Sequence, residues 1–188
     1  MKLLSNFDTN LDEVCYQENV DNYGKEKVFL VYKDKIFFIF YVLIPLSVSL
    51  LILIPTLISV IVLDLGIFGW LTVLVEIIFF SFTMWKSALK RYLDYRMDFT
   101  VINPDLIMAY NQTGFFSRDS RTIKTNKIKT ISIDKKGIIK SIFNYGTLVF
   151  LSEGDEKGKG DITLMYVQNP DEVRKRIKQV IDFAESGN

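Results

Sequence analysis

Between residues 36 and 63 the chain reads IFFIFYVLIPLSVSLLILIPTLISVIVL, 28 positions without a charge. After DLG a second apolar run, IFGWLTVLVEIIFFSFTMW, covers residues 67–85 with Glu76 as its single charge. A helix needs about 20 apolar residues to cross a bilayer core, so each run is long enough. Burying both inside a soluble core would require a polar shell that the remaining chain is too small to supply. The pattern predicts a tight transmembrane hairpin over residues 36–86, with spans at about 36–63 and 66–86.

Past residue 95 the period shortens. RMDFTVI, LIMAYN, the stretch ending in SRTIK, TISID, GTLVFLS and DITLMYV are short β-branched and aromatic runs, separated by turn signals such as NPD at 103–105. EGDEKGKG at 153–160 reads as the tip of a hairpin between the last two runs. The chain closes with a helix pattern: Asn169 as cap, Pro170 at the first helical position and Glu172 three residues after the cap. Val173, Ile177, Val180, Ile181 and Ala184 form its apolar face, and Arg174, Lys175, Arg176 and Lys178 its solvated one. Six or seven strands at this spacing predict a small barrel or sandwich with a helix over its open side. The fold class expected is α+β, with a β domain at 95–185 and a cytoplasmic tail at 1–35. The tail is polar and weakly acidic, and its pattern decides neither for disorder nor for a short docking helix.

Charge fixes the orientation. Lys25, Lys27, Lys33 and Lys35 precede the first span, Lys86, Lys90, Arg91 and Arg96 follow the second, and the connecting turn holds only Asp64. By the positive-inside rule both termini are cytoplasmic, in a cell (inner) membrane protein with two spans. MKLLSNFDTN has no apolar stretch of signal-peptide length. Cys15 is the one cysteine, which suits a reducing compartment.

The same composition narrows the chemistry. There is no histidine, which removes the commonest general base, the usual zinc ligand and any Ser-His or Cys-His nucleophile pair. No Walker or dinucleotide fingerprint is present. The expectation is a protein without catalytic, metal or cofactor-binding residues.

Four residues stand out as candidates. Glu76 lies in the second span, where an ionised acid costs about 2.5–3.5 kcal/mol. Counted back from the turn, it falls level with residues 52–54, close to Thr56 and to the Leu51 carbonyl that Pro55 leaves without a helical donor. A packing hydrogen bond to one of these is the simpler role, and a proton or ion relay would need further helices. Arg118, Arg121 and Lys124 are the others, in GFFSRDSRTIKTNKIKTISI at 114–133. Residues 86–140 carry twelve basic and five acidic groups, so these three are candidate contacts to anionic lipid. Strand alternation, however, gives Arg118 and Lys124 one parity and Arg121 the other. TNKIK is expected to hold a turn that re-registers the chain.

The order of a two-helix hairpin, Tyr95-Arg96 leading into the first strand, the Gly114-Phe115 turn followed by Arg118, Ile128 through Ile133, Tyr145-Gly146-Thr147 and an Asn-Pro-Asp helix resembles the membrane-anchored bacterial pleckstrin-homology (PH) family over residues 36–183. The resemblance implies a seven-stranded antiparallel barrel capped by a C-terminal helix, and implies no activity. Pleckstrin domains that bind phosphoinositides place basic groups around the loop joining their first two strands. INPDL, taken as that loop, has an acid and no base, which argues against such a ligand. The function expected is an interaction or assembly platform on the membrane. The alternatives are an anionic-lipid sensor and an accessory subunit of a transporter or membrane enzyme. The partners expected are the bilayer and either further copies of the chain or a membrane protein, with no nucleic acid.

Overall fold

The computed structural model describes residues 10–114, 117–152 and 162–185. The chain divides into two compact units, one of Met1–Asp34 with Asp94–Asn188 and one of Lys35–Leu93.

The helical unit comes from two long helices, α2 (Lys35–Val62) and α3 (Gly66–Met97), the second of which continues into the other unit. The second helix thus runs eleven residues past the expected end of its span at residue 86, because the polar KSALKRYLDYRM keeps strong helix formers. Each helix widens into a π-type turn, at Ile39–Leu43 and Ser81–Trp85. The first of these adjoins Pro45, which has no N–H to offer the Tyr41 carbonyl. Between the helices Asp64 and Gly66 adopt φ of 46° and 59°. Gly69 then lets them approach closely, since a Cβ there would lie 2.8 Å from Leu65 Cβ and 3.0 Å from Val60 Cγ1. Along the pair, Trp85 Nε1 donates to Ser49 Oγ at 2.9 Å, and Ser49 donates to the Leu46 carbonyl.

The β unit holds seven strands among the described residues, in two antiparallel sheets. The four-stranded sheet has the order β1 (Phe29–Tyr32), β2 (Phe99–Ile102), β3 (Leu106–Gln112), β4 (Arg118–Lys124). The three-stranded sheet has the order β5 (Ile128–Asp134), β6 (Tyr145–Ser152), β7 (Ile162–Gln168). A single 3₁₀ turn at Thr125–Lys127 carries the chain from one sheet to the other, at the TNKIK turn expected from parity. The sheets do not close into a barrel. Across the seam between β1 and β7 the Asp34 N–H reaches the Tyr166 carbonyl at 2.7 Å. Tyr166 presents that carbonyl from a left-handed conformation, φ 58°, where the β6–β7 register shifts.

Strand β1 departs from the expectation of a tail at 1–35. FLVY pairs with β2, so 66 residues of helical insertion separate the first two strands, and INPDL instead joins β2 to β3. In that connection Asn103 Oδ1 accepts from the N–H groups of Asp105 (2.9 Å) and Leu106 (2.6 Å).

Alternation sorts the four-stranded sheet. Val31, Ile102, Ile107 and Ala109 face inward, against Leu148, Phe150, Ile162 and Leu164 of the other sheet. The outer face, with Phe99, Val101, Met108 and Tyr110, would meet solvent but for α1 (Leu11–Tyr23), which lays Leu11, Cys15, Tyr16, Val20 and Tyr23 on it. Helix α4 (Ile138–Ile142) lies in the β5–β6 connection. Helix α5 (Pro170–Glu185) buries Ile177 and Val180 in the core, with Val173 and Ile181 beside them. Ala184, expected on that face, has a side chain outside the described set, and so does the whole EGDEKGKG tip. Asn169 does not cap α5 with its side chain as expected. It stands at φ 44° with Oδ1 accepting from Asn144 Nδ2 at 2.6 Å, while its backbone carbonyl takes the first helical N–H groups.

Candidate functional site

Between β7 and the inner face of the four-stranded sheet lies a cleft of about 370 Å³. The unclosed seam makes it: β7 carries Ile162 and Leu164 past β1 without pairing, and Val31 and the small Ala109 complete an apolar floor. The rim is polar, with Lys33, Asp94, Asp98, Asp119 and Arg121.

The chain leaves the β unit just after Lys33 and re-enters at Asp94, so exit and return meet at this rim. Lys33 Nζ lies 2.5 Å from Asp98 Oδ2, with side chains 17% and 9% exposed. Asp98 Oδ1 also accepts the Gln112 N–H at 2.5 Å, which fixes the carboxylate between the ends of β1, β2 and β3. Burial pushes the Asp98 carboxyl above its ordinary range. The Lys33 ammonium and the Gln112 N–H pull against that shift, and Asp94 adds to it. Opposite, Arg121 Nε meets Asp119 Oδ2 at 3.2 Å, with both side chains about half exposed. Each base of the rim is thus engaged by a carboxylate. The cleft offers an apolar floor under paired charges, not a cluster of bases waiting for phosphate. Among the described residues no group of histidine, cysteine and acids could hold a metal ion.

The sequence candidates fall as follows. Register places Arg118 opposite Gln112, Arg121 opposite Ala109 and Lys124 opposite Leu106. Arg121 therefore points to the cleft side, while Arg118 and Lys124 share the outer face, so the three do not form one surface. Arg118 packs near Tyr110, with a buried Nε that has no hydrogen-bond partner among the described residues. Tyr110 in turn accepts from Cys15 Sγ at 3.8 Å, and burial together with that contact pushes its hydroxyl up to about 12. Phe115 and Phe116 of the β3–β4 connection lie outside the described residues.

In the helical unit Glu76 Oε1 is 3.3 Å from Thr56 Oγ1, one of the two partners expected from counting back along the hairpin, the other being the Leu51 carbonyl. Its Oε2 is buried without a hydrogen bond among the described residues.

Sequence reasoning missed Lys33, Asp98 and Gln112. Lys33 reads as one more juxtamembrane base, and only the pairing of β1 with β2 shows where it goes. The connection between the first two strands thus begins with the bases Lys33 and Lys35, and INPDL, which has an acid and no base, is not that connection.

The family comparison spans six of the seven strands, the 3₁₀ crossing between the sheets and most of the C-terminal helix. The model of the bacterial PH domain family covers residues 35–181. The chain belongs to this family. The match takes in both long helices and ends within α5, so the helical insertion is part of what is shared, whereas α1 and β1 precede it. No curated protein and no solved structure matches the chain.

Proposed function

We propose that the chain is a membrane protein without catalytic activity, which holds its bacterial PH domain at the cytoplasmic face as an interaction or assembly platform. The observation that carries this reading is the surface of α2 and α3. Leu51 (75% exposed), Phe68 (79%) and Phe82 (76%) stand in an almost continuous apolar coat, which water would penalise and lipid would not. The hydroxyls along the same helices suit a medium without water. Thr56, Ser59, Thr72, Ser81 and Thr83 each donate to the carbonyl four residues earlier. By the positive-inside rule the juxtamembrane bases favour both termini on the cytoplasmic side.

The PH domain supplies the platform. It has a cleft with an apolar floor, two strand edges along its seam and a helix-covered outer sheet face. Extraction from its own membranes in mild detergent, followed by native mass spectrometry, tests the proposal. A discrete homo-oligomer or a stoichiometric protein partner supports it, and a lone chain that retains only lipid counts against it. One observation favours a second reading, an accessory subunit of a larger membrane assembly. Glu76 is an ionisable residue inside a span, of the kind that larger helix assemblies retain for function, and its buried Oε2 has no hydrogen bond among the described residues.

A further inference from the structure

The two most exposed large apolar side chains among the described residues of the β unit, and a third close by, are neither at the cleft nor at a strand edge. They lie on α4 and just after it: Ile138 (79% exposed), Ile142 (69%) and Phe143 (52%). Ile138 and Ile142 are one helical turn apart and share a face. Gly137, at φ 115°, turns the chain out of β5 into this helix, a conformation that side chains rarely adopt. The base of the projection is held firmly. Lys135 Nζ donates to Asn144 Oδ1 at 2.9 Å and also pairs with Asp171. Asp134 Oδ1 accepts the Lys136 N–H at 3.0 Å, and the Asn169 N–H reaches the Asn144 carbonyl at 2.9 Å. A braced stem thus presents an apolar tip to solvent.

The charges around the tip indicate what it meets. Lys135, Lys136 and Lys140 surround the isoleucines, and there is no carboxylate from residue 135 to residue 152. Protein interfaces are depleted of lysine, whereas lysines beside exposed isoleucine and phenylalanine match the boundary of an anionic bilayer. There the apolar groups enter the acyl region and the ammonium groups stay at phosphate level.

We infer that the β5–β6 connection is a second membrane contact, with Ile138, Ile142 and Phe143 inserted at the interface of an anionic leaflet and Lys136 and Lys140 against its phosphates. This rests on the membrane reading of α2 and α3. It assigns lipid contact to a surface other than Arg118, Arg121 and Lys124. Two anchors then fix the PH domain, and anionic lipid content sets how firmly its free faces are held toward the cytoplasm.

The test uses the full chain in bilayers, in a Cys15→Ala background, with an environment-sensitive fluorophore on Phe143→Cys or, separately, on Leu51→Cys. Quenchers are either carried on lipid acyl chains or dissolved in the buffer. In bilayers with about a third phosphatidylglycerol or phosphatidylserine, both labels are expected to be quenched from the lipid. Changing Lys136 and Lys140 to Gln should lower the inserted-to-free ratio of the Phe143→Cys label about fivefold for each lysine removed. If Leu51→Cys is quenched from lipid while Phe143→Cys stays open to the aqueous quencher, this inference is overturned and the hairpin stands. If Phe143→Cys is shielded from both quenchers, α4 docks on protein, which also overturns it. If Leu51→Cys is open to water, the membrane reading falls and this inference with it.

Discussion

Lys33 and Asp98 are 65 residues apart in sequence and 2.5 Å apart in space. They join the last residues before the chain departs into its two long helices to the first residues after its return. The pair lies where the chain leaves the β unit and where it re-enters it.

Removing the ammonium leaves a carboxylate buried with less compensation, so Lys33→Ala is expected to destabilise the PH domain by about 3–5 kcal/mol. The pH dependence has a definite sign. The folded-state pKa of Asp98 is raised, so its contribution favours the fold at low pH and is lost as pH rises through the raised value. Lys33 opposes that rise, and without it the shift grows. The deficit of Lys33→Ala relative to the parent chain should therefore be smaller at pH 4 than at pH 7. Thermal unfolding in detergent at the two pH values measures this, and an equal deficit at both would contradict the assigned burial.

Helix α1 is fastened by phenol–carboxylate bonds, Tyr23 to Asp105 and Tyr32 to Asp12, each at 2.7 Å. A hydrogen bond to Asp105 raises the Tyr23 hydroxyl. Burial and then Asp12 raise that of Tyr32. Because the folded values are raised, these tyrosines contribute stability fully below about pH 10, the unfolded value, and lose it as pH rises further. Near-ultraviolet circular dichroism should show α1 loosening as pH rises above about 10. Tyr23→Phe with Tyr32→Phe should weaken α1 docking at neutral pH by about 1 kcal/mol in total, since both bonds are exposed to solvent.

At the closed end of the hairpin Gly69 has no room for a side chain. Gly69→Leu is expected to cost about 1–3 kcal/mol and to spread α2 from α3. Spin-label distances between the helices should lengthen in this variant, and unchanged distances would mean that the helices do not pack there.

Glu76 and Thr56 provide a separate check. If the contact is one of packing, Glu76→Gln retains it, whereas Thr56→Val with Glu76→Leu removes it at about 0.6–1.7 kcal/mol. Steric-trap unfolding in bilayers distinguishes these outcomes. A strong defect from Glu76→Gln alone would instead favour the accessory-subunit reading.

Much of the architecture could be read from the chain. The two apolar runs, six of the strands, the turn at Thr125–Lys127 and the buried Ile177 and Val180 follow from periodicity and turn chemistry. What sequence could not supply depends on distant partners. FLVY is four residues long and carries no alternation of its own, and it becomes a strand because residues 99–102 lie beside it. Helix α1 is likewise obscured, since the exposed Val14 and its many polar residues dilute the stripe that Leu11, Cys15, Tyr16, Val20 and Tyr23 form. The cleft needs both facts at once. Its lining comes from β1, β2, β3, β4 and β7 with Lys33, Asp94 and Asp98 beside them, and no local window of sequence brings Lys33 to Asp98. Conversely, parity alone was enough to divide Arg118 and Lys124 from Arg121.

The central claim is that α2 and α3 cross a membrane with both flanks on one side. Cysteine accessibility in sealed, right-side-out membranes tests it directly, with Asp64→Cys and Lys175→Cys placed separately in a Cys15→Ala background. A membrane-impermeant maleimide should label Asp64→Cys from outside and Lys175→Cys only after the membrane is permeabilised. Labelling of both positions from the same side would contradict it.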